Sequence, residues 1–206
     1  MTKQQQDWPY LKRYEAENVS TPPPTKEENR VVFLGDSITE FWKNLMPEFF
    51  DGKPYLNRGI SGQTTPQMLV RFRADVIALQ PRVVVILAGA NDIAGNTGPT
   101  TIEMITNNLF SMIELAQVHH IKVILCSVLP ANRFPWKQGE NPSQKIIALN
   151  KILKEYAALN KIQYLDYYSV MVDEKDGMIS TYADDGVHPN RLGYEVMADL
   201  FYRKVC

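Results

Sequence analysis

With only three histidines in 206 residues, the chain has few places where an imidazole could move a proton. His119 and His120 sit between a helix-like segment and an apolar run, at the sheet end opposite Ser37, and read as solvated loop residues. His188 lies in "YADDGVHPN" (182–190), three residues after Asp185 and directly before Pro189. A carboxylate at that spacing in a glycine-containing loop can reach one ring nitrogen and leave the other facing outward. The proline biases His188 toward an extended backbone that holds the ring still. Such a base calls for a hydroxyl, and "FLGDSITEFW" (33–42) ends an apolar run with Gly35-Asp36-Ser37. A serine is a weak nucleophile until a base takes its proton, so Ser37, His188 and Asp185 together describe nucleophilic catalysis.

Attack on a carbonyl also needs donors for the oxyanion. Gly59, at the end of "PYLNRG" (54–59), can present its N–H with no Cβ in the way, and Asn91 in "GAND" (89–92) offers a neutral side-chain amide. The N–H of Ser37 is a third donor. "LPANRFPWKQGENP" (129–142) carries Arg133, Phe134 and Trp136. Phe134 and Trp136 are candidate substrate contacts, since an aromatic ring can stack on a sugar or cover a leaving alcohol; a tryptophan packed under a proline-bounded loop is the plainer alternative. Each residue also has a structural reading: Asp36 or Ser37 as a helix cap, the glycines as turn formers, and Asp36 and Asp92 as scaffolding for loop amides. Only their joint placement favours chemistry.

That placement depends on the elements between them. Five short apolar runs, 30–35, 54–59, 82–89, 122–128 and 162–166, read as strands. Helical patterns cover Pro66 to Leu79, Thr100 to Val118, Pro142 to Leu159 and Asn190 to Val205. Ile146, Leu149, Ile152, Leu153 and Tyr156 recur at three- and four-residue spacing and form one core-facing stripe. Apolar strands alternating with helices imply an α/β fold with a parallel sheet covered on both faces. In such sheets ligands bind beyond the carboxyl ends of the strands, where Ser37, Gly59 and Asn91 all fall.

Composition narrows the partners. The 22 Lys and Arg against 23 Asp and Glu give a formal net charge of −1, which favours neither nucleic acid nor an anionic membrane. The expected partner is a small molecule, with a homodimer left open. The two cysteines, Cys126 and Cys206, supply no disulfide framework and read as structural thiols. No apolar stretch has the length of a transmembrane helix and the N-terminus lacks a signal-peptide pattern, so the chain as written reads as cytoplasmic; secretion or periplasmic export remains open if a leader has been removed. Residues 1–29, polar and with three consecutive prolines, read as an N-terminal extension lying on or hanging from a single domain of residues 30–206.

Gly-Asp-Ser-Ile (35–38), the glycine of Asn-Arg-Gly-Ile-Ser-Gly-Gln-Thr-Thr (57–65), Gly-Ala-Asn-Asp (89–92) and Asp-Gly-Val-His-Pro (185–189) resemble, in order and spacing, the four blocks of the SGNH hydrolases, also called GDSL esterases. Ala90 stands where many members have Gly or Thr, a small-for-small exchange. Within the family the chain looks most similar to the compact branch related to platelet-activating-factor acetylhydrolase subunits and bacterial carbohydrate deacetylases. The resemblance implies a three-layer α/β/α flavodoxin-like sandwich on a five-stranded parallel sheet. It implies Ser37 as nucleophile, His188 as base, Asp185 as its partner, and an oxyanion hole of Ser37, Gly59 and Asn91. The expectation is a metal-independent, cofactor-free serine esterase that removes short acyl groups, acetyl foremost, from a sugar or lipid.

Two other classes compete. A metal-dependent phosphoesterase would draw on Asp36, Asp92 and Asp185, but Ile38 stands where an aspartyl-phosphate enzyme needs a second Asp, and no paired-ligand spacing supports two metals. A non-catalytic binding module leaves the Ser37, Asn91 and Asp185–His188 combination unexplained. An α/β-hydrolase elbow requires glycine at position 39, which is Thr39.

Overall fold

The computed structural model describes residues 7–137 and 139–205. Five strands, β1 (Val31–Gly35), β2 (Tyr55–Gly59), β3 (Val83–Leu87), β4 (Lys122–Cys126) and β5 (Gln163–Leu165), form one sheet in the order β2-β1-β3-β4-β5. Every neighbouring pair is parallel. The described α-helices are α1 (Glu15–Ser20), α2 (Ser37–Leu45), α3 (Thr65–Asp75), α4 (Ala90–Ala94), α5 (Ile102–Val118), α6 (Ser143–Leu159), α7 (Tyr167–Met171) and α8 (Arg191–Val205).

Strands β1, β3 and β4 read as near-continuous apolar runs because alternate side chains enter two different cores. Val32, Leu34, Val84, Ile86, Val123 and Leu125 point to one face, against Met68 and Phe72 of α3, Ile105 and Leu109 of α5, and Ile146 and Leu149 of α6. Val31, Phe33, Val85, Leu87 and Ile124 point to the other, against Trp42 of α2, Tyr167 of α7 and Phe201 of α8. The molecule is therefore a three-layer α/β/α sandwich. Phe33 lies at the centre of an aromatic cluster with Trp42, Phe49, Phe50, Tyr55 and Phe201, ring centroids 5.3–5.8 Å away.

All five strand readings correspond to strands, trimmed by one to three residues at their ends. The segment read as one helix from Pro66 to Leu79 divides into α3 and a single 3-10 turn, Ile77–Leu79. The five- and six-residue helices α1, α4 and α7 carry too few turns to show a helical period. Cys126 is buried, as a structural thiol should be, and Cys206 lies outside the described residues. His119 and His120 are exposed between α5 and β4.

From residue 7 onward the N-terminal extension lies against the sandwich. Tyr14 is buried and its hydroxyl donates to the Gly59 carbonyl at 2.5 Å. The fully buried Arg58 guanidinium donates to Asn18 Oδ1 at 3.0 Å and Glu17 Oε1 at 2.9 Å. Among the described residues no helix is long and apolar enough to cross a membrane.

The strand order sets the position of the site. From β1 the chain moves to β2 on one side and then crosses to β3 on the other, so the crevice between the carboxyl ends of β1 and β3 is a topological switch point. Ser37 follows β1 and Asn91 follows β3.

Candidate active site

Ser37 is the first residue of α2, and Asp36 is its cap: Asp36 Oδ1 accepts the Ile38 N–H at 3.0 Å. The capping reading of this stretch is realised in Asp36, the residue next to Ser37. Ser37 Oγ lies 2.9 Å from His188 Nε2, across 151 residues of chain. His188 Nδ1 lies 2.6 Å from Asp185 Oδ2. The other oxygen, Asp185 Oδ1, accepts the N–H groups of Val187 and His188, each at 2.8 Å, which locks the loop around the imidazole. Burial pushes the Asp185 carboxyl up, but the hydrogen bonds from the His188 ring and these amides outweigh it and hold it below the usual carboxylate range. Asp184, its neighbour, instead accepts from Asn190 at 3.3 Å.

Asn91 is buried beside the switch point. Its Nδ2 donates to the Gln63 carbonyl at 3.1 Å and, at a longer 3.3 Å, to Asp36 Oδ2. Its Oδ1 accepts from Asn96 Nδ2 at 2.8 Å, which fixes the orientation of the amide. Asp92 grips the start of α3, its carboxylate accepting the Thr65 N–H at 3.0 and 3.1 Å and the Thr65 hydroxyl at 2.6 Å. Asp36, Asp92 and Asp185, the carboxylates a metal site would use, are each committed to hydrogen bonds within the protein. Asp36 and Asp92 act as scaffolding, though the amides they hold lie at the starts of helices, Ile38 of α2 and Thr65 of α3, and do not belong to loops.

Gly59 is a correction. Its N–H donates to Asn57 Oδ1 at 2.9 Å and is not available to a ligand. Its lack of a side chain serves packing instead, because a Cβ there would stand 2.2 Å from the Glu40 backbone nitrogen. The free donor in this loop is three residues on. The N–H groups of Ile60, Ser61, Gln63, Thr64 and Thr65 all have acceptors, to Gly35, Glu40, Ile60, Gln67 and Asp92 respectively. That of Gly62 pairs with none of the described residues, and Gly62 has φ +76°, a left-handed conformation suited to glycine. Two glycines three apart gave no sequence signal to separate these roles.

Phe134 is a second correction. It is only 4% exposed, packed into the core, with its ring stacked 5.1 Å from that of Trp136. It supports Trp136 and does not present itself to a ligand. Trp136 is 46% exposed and its ring centre lies 5.8 Å from that of His188. Phe41, absent from the sequence-based candidates, stands 5.4 Å from the same imidazole, so His188 sits beside two aromatic rings.

Burial also raises Asp36, to about 6, with its amide hydrogen bond and His188 opposing the shift. A folded carboxyl above its unfolded value makes the protein lose stability as pH rises between the two. A shift from 3.8 to about 6 corresponds to on the order of 3 kcal/mol, more than the ~1 kcal/mol of one long hydrogen bond. Asp36→Asn is therefore expected to melt above the wild type at about pH 8, with the gap closing toward about pH 4. Thermal unfolding at the two pH values measures it, and an equal gap at both contradicts the assignment.

Residues 33–196 match the model of the GDSL-like Lipase/Acylhydrolase family. The crystal structure of a GDSL-like lipase from Bacteroides thetaiotaomicron VPI-5482 superimposes with a TM-score of 0.93 at 47% identity, covering 95% of this chain and 97% of that one. Esterase TesA of Pseudomonas aeruginosa is 30% identical over 76% of this chain and 73% of its own. An acetylxylan esterase of Xylanibacter ruminicola is 27% identical over 88% of this chain but only 44% of its own, so the chain spans less than half of that relative.

Proposed function

This chain belongs to the GDSL-like lipase/acylhydrolase family, and from that premise we propose that it is a serine ester hydrolase that removes short acyl groups, acetyl foremost, through an acyl-enzyme. The observation that carries the reading is the continuous chain Ser37 Oγ, His188 Nε2, His188 Nδ1, Asp185 Oδ2, with links of 2.9 and 2.6 Å. Ser37 Oγ attacks the ester carbonyl while His188 Nε2 takes its proton, and Asp185 stabilises the imidazolium that forms. His188 then returns the proton to the leaving alcohol oxygen. A water enters, His188 takes its proton as the oxygen attacks the acyl carbonyl, and His188 then gives that proton to Ser37 Oγ as the acyl–oxygen bond breaks, releasing the acid and restoring both residues.

The oxyanion draws on three donors in this account: the Ser37 N–H, the Gly62 N–H and Asn91 Nδ2. The long 3.3 Å bond from Asn91 to Asp36 is the one a developing negative charge displaces. Asn91→Ala is expected to lower kcat by roughly 10²–10³ with little change in KM, because the charge it meets exists only in the transition state. Steady-state kinetics on a nitrophenyl acetate decides this. A pure KM effect would make Asn91 a ground-state contact.

Because His188 protonates the leaving group, Trp136 and Phe41 beside it line the alcohol side of the site. A planar indole there suits a sugar ring, and the acetylxylan esterase relative supports an acetylated saccharide as substrate. A panel of acetyl, butyryl and octanoyl esters of nitrophenol and of saccharides tests the reading. Acetyl esters are expected to be cleaved fastest, and Trp136→Ala to raise KM for saccharide acetates more than for nitrophenyl acetate. Faster octanoyl cleavage, or equal losses on all esters with a lowered melting point, contradicts the acetyl and the sugar parts respectively.

A further inference from the structure

The chain has three tryptophans. Trp42 is buried in the aromatic core, while Trp136 and Trp8 are 46% and 45% exposed. Trp136 stands beside His188. Trp8 stands at the rim of a cleft of about 410 Å³ bordered by Pro66, Thr97, Thr100, Met104, Asn107 and Asn108. No charged side chain lines this cleft among the described residues. It lies where α3 and α5 begin, and helices that follow parallel strands begin at the carboxyl edge of the sheet, the edge that carries Ser37. It is also tied directly to the site. Thr97 Oγ1 is 3.0 Å from Thr64 Oγ1, and the preceding Asn96 bonds both the Gly62 carbonyl and Asn91 Oδ1. The Trp8 and Pro9 carbonyls accept from Gln67 and Gln63, each at 2.8 Å, so the N-terminal segment that supplies the indole also grips the donor loop.

We propose that this cleft is an accessory subsite for a neutral saccharide, with Trp8 as its stacking platform. The inference builds on the ester hydrolase reading, in which a pendant acetyl enters at Ser37 while the sugar chain lies over the edge in both directions. An exposed indole offers its face to the C–H groups of a pyranose, and the hydroxyls of Thr97 and Thr100 with the amide of Asn107 suit sugar hydroxyls. The absence of charge in the lining disfavours a phosphorylated or acidic ligand, which would leave its charge uncompensated. The side-chain amide of Asn107 is exposed and pairs with none of the described residues, so it is free to bind.

The test combines binding and kinetics on the full chain. Xylohexaose, which has no ester, is titrated calorimetrically into the wild type, Trp8→Ala, Trp8→Phe and Asn107→Ala. The expected result is weakening by about tenfold in Trp8→Ala, a smaller loss in Asn107→Ala, and recovery in Trp8→Phe. In parallel, the ratio of kcat/KM on acetylated xylo-oligosaccharides to that on nitrophenyl acetate falls by a similar factor in Trp8→Ala. Should that variant unfold, Asn107→Ala, a surface change, carries the same comparison. Unchanged xylohexaose binding in both alanine variants overturns the subsite. Trp8-dependent binding by a wild type that cleaves no acetylated saccharide keeps the subsite and overturns the acetyl-saccharide reading, so the two fail separately.

Discussion

Ser37→Ala is expected to lower kcat on an acetyl ester by on the order of 10⁶ while leaving the fold intact. The size follows from what the hydroxyl does. Without it no acyl-enzyme forms, and the remaining donors accelerate only direct attack by water, which leaves roughly 10³–10⁴ over the uncatalysed rate. The fold is expected to survive because the cap of α2 belongs to Asp36, and the Ser37 side chain bonds only to His188 among the described residues. Kinetics with a melting curve for the same sample separate loss of chemistry from loss of structure. A variant that retains more than a few per cent of wild-type activity would remove Ser37 from the reaction.

Asp185→Asn is expected to cost on the order of 10⁴ in kcat. One Asp185 oxygen fixes the backbone through Val187 and His188, and the other accepts from the imidazole Nδ1 at 2.6 Å. An asparagine can reproduce the backbone bonds but turns an NH₂ toward Nδ1, which favours the tautomer that carries its proton on Nε2. His188 then cannot take the Ser37 proton. The variant also removes a carboxylate that is held below its usual range and so is ionised at neutral pH, the charge that the proposed mechanism sets against the imidazolium. Rates across a pH series, with Ser37→Ala measured alongside, check this. If Asp185→Asn is as active as the wild type, the orienting role moves elsewhere, although Asp184 is occupied by Asn190.

The parts of this site legible in the sequence share a physical reason. Asp185 and His188 are three residues apart, so their contact is local and follows from loop length. Ser37 and Asn91 follow neighbouring strands at one edge because the carboxyl ends of parallel strands share it, which the alternation of apolar runs and helices already implied. Gly59 and Gly62 could not be told apart, since the difference lies in where one N–H points, and that is decided by Asn57, a side chain with no pattern of its own. Phe134 and Trp136 share one loop, yet only the folded backbone sends one inward and the other out. Composition marked the N-terminal segment as an extension. Its grip on the site depends on single contacts, Tyr14 to Gly59, Pro9 to Gln63 and Trp8 to Gln67, that no periodicity records.

The buried Arg71 belongs to the same class. Its guanidinium donates to the Gly35 and Arg58 carbonyls at 3.1 and 2.8 Å and to Gln63 Oε1 at 2.6 Å, pairing with Asp75 at 2.9 Å. It thereby ties the ends of β1 and β2 to the donor loop. In the sequence it is one more basic residue on a helix.

The central claim is that Ser37 is the nucleophile activated by His188. The most direct measurement is intact-protein and peptide mass spectrometry after treatment with a fluorophosphonate, on the wild type and on His188→Ala. The account predicts one phosphonyl group per chain, carried on the peptide containing Ser37, with loss of esterase activity in step with labelling and labelling slowed by orders of magnitude in His188→Ala. Full esterase activity in an unlabelled protein, or a label on any other residue, would contradict it.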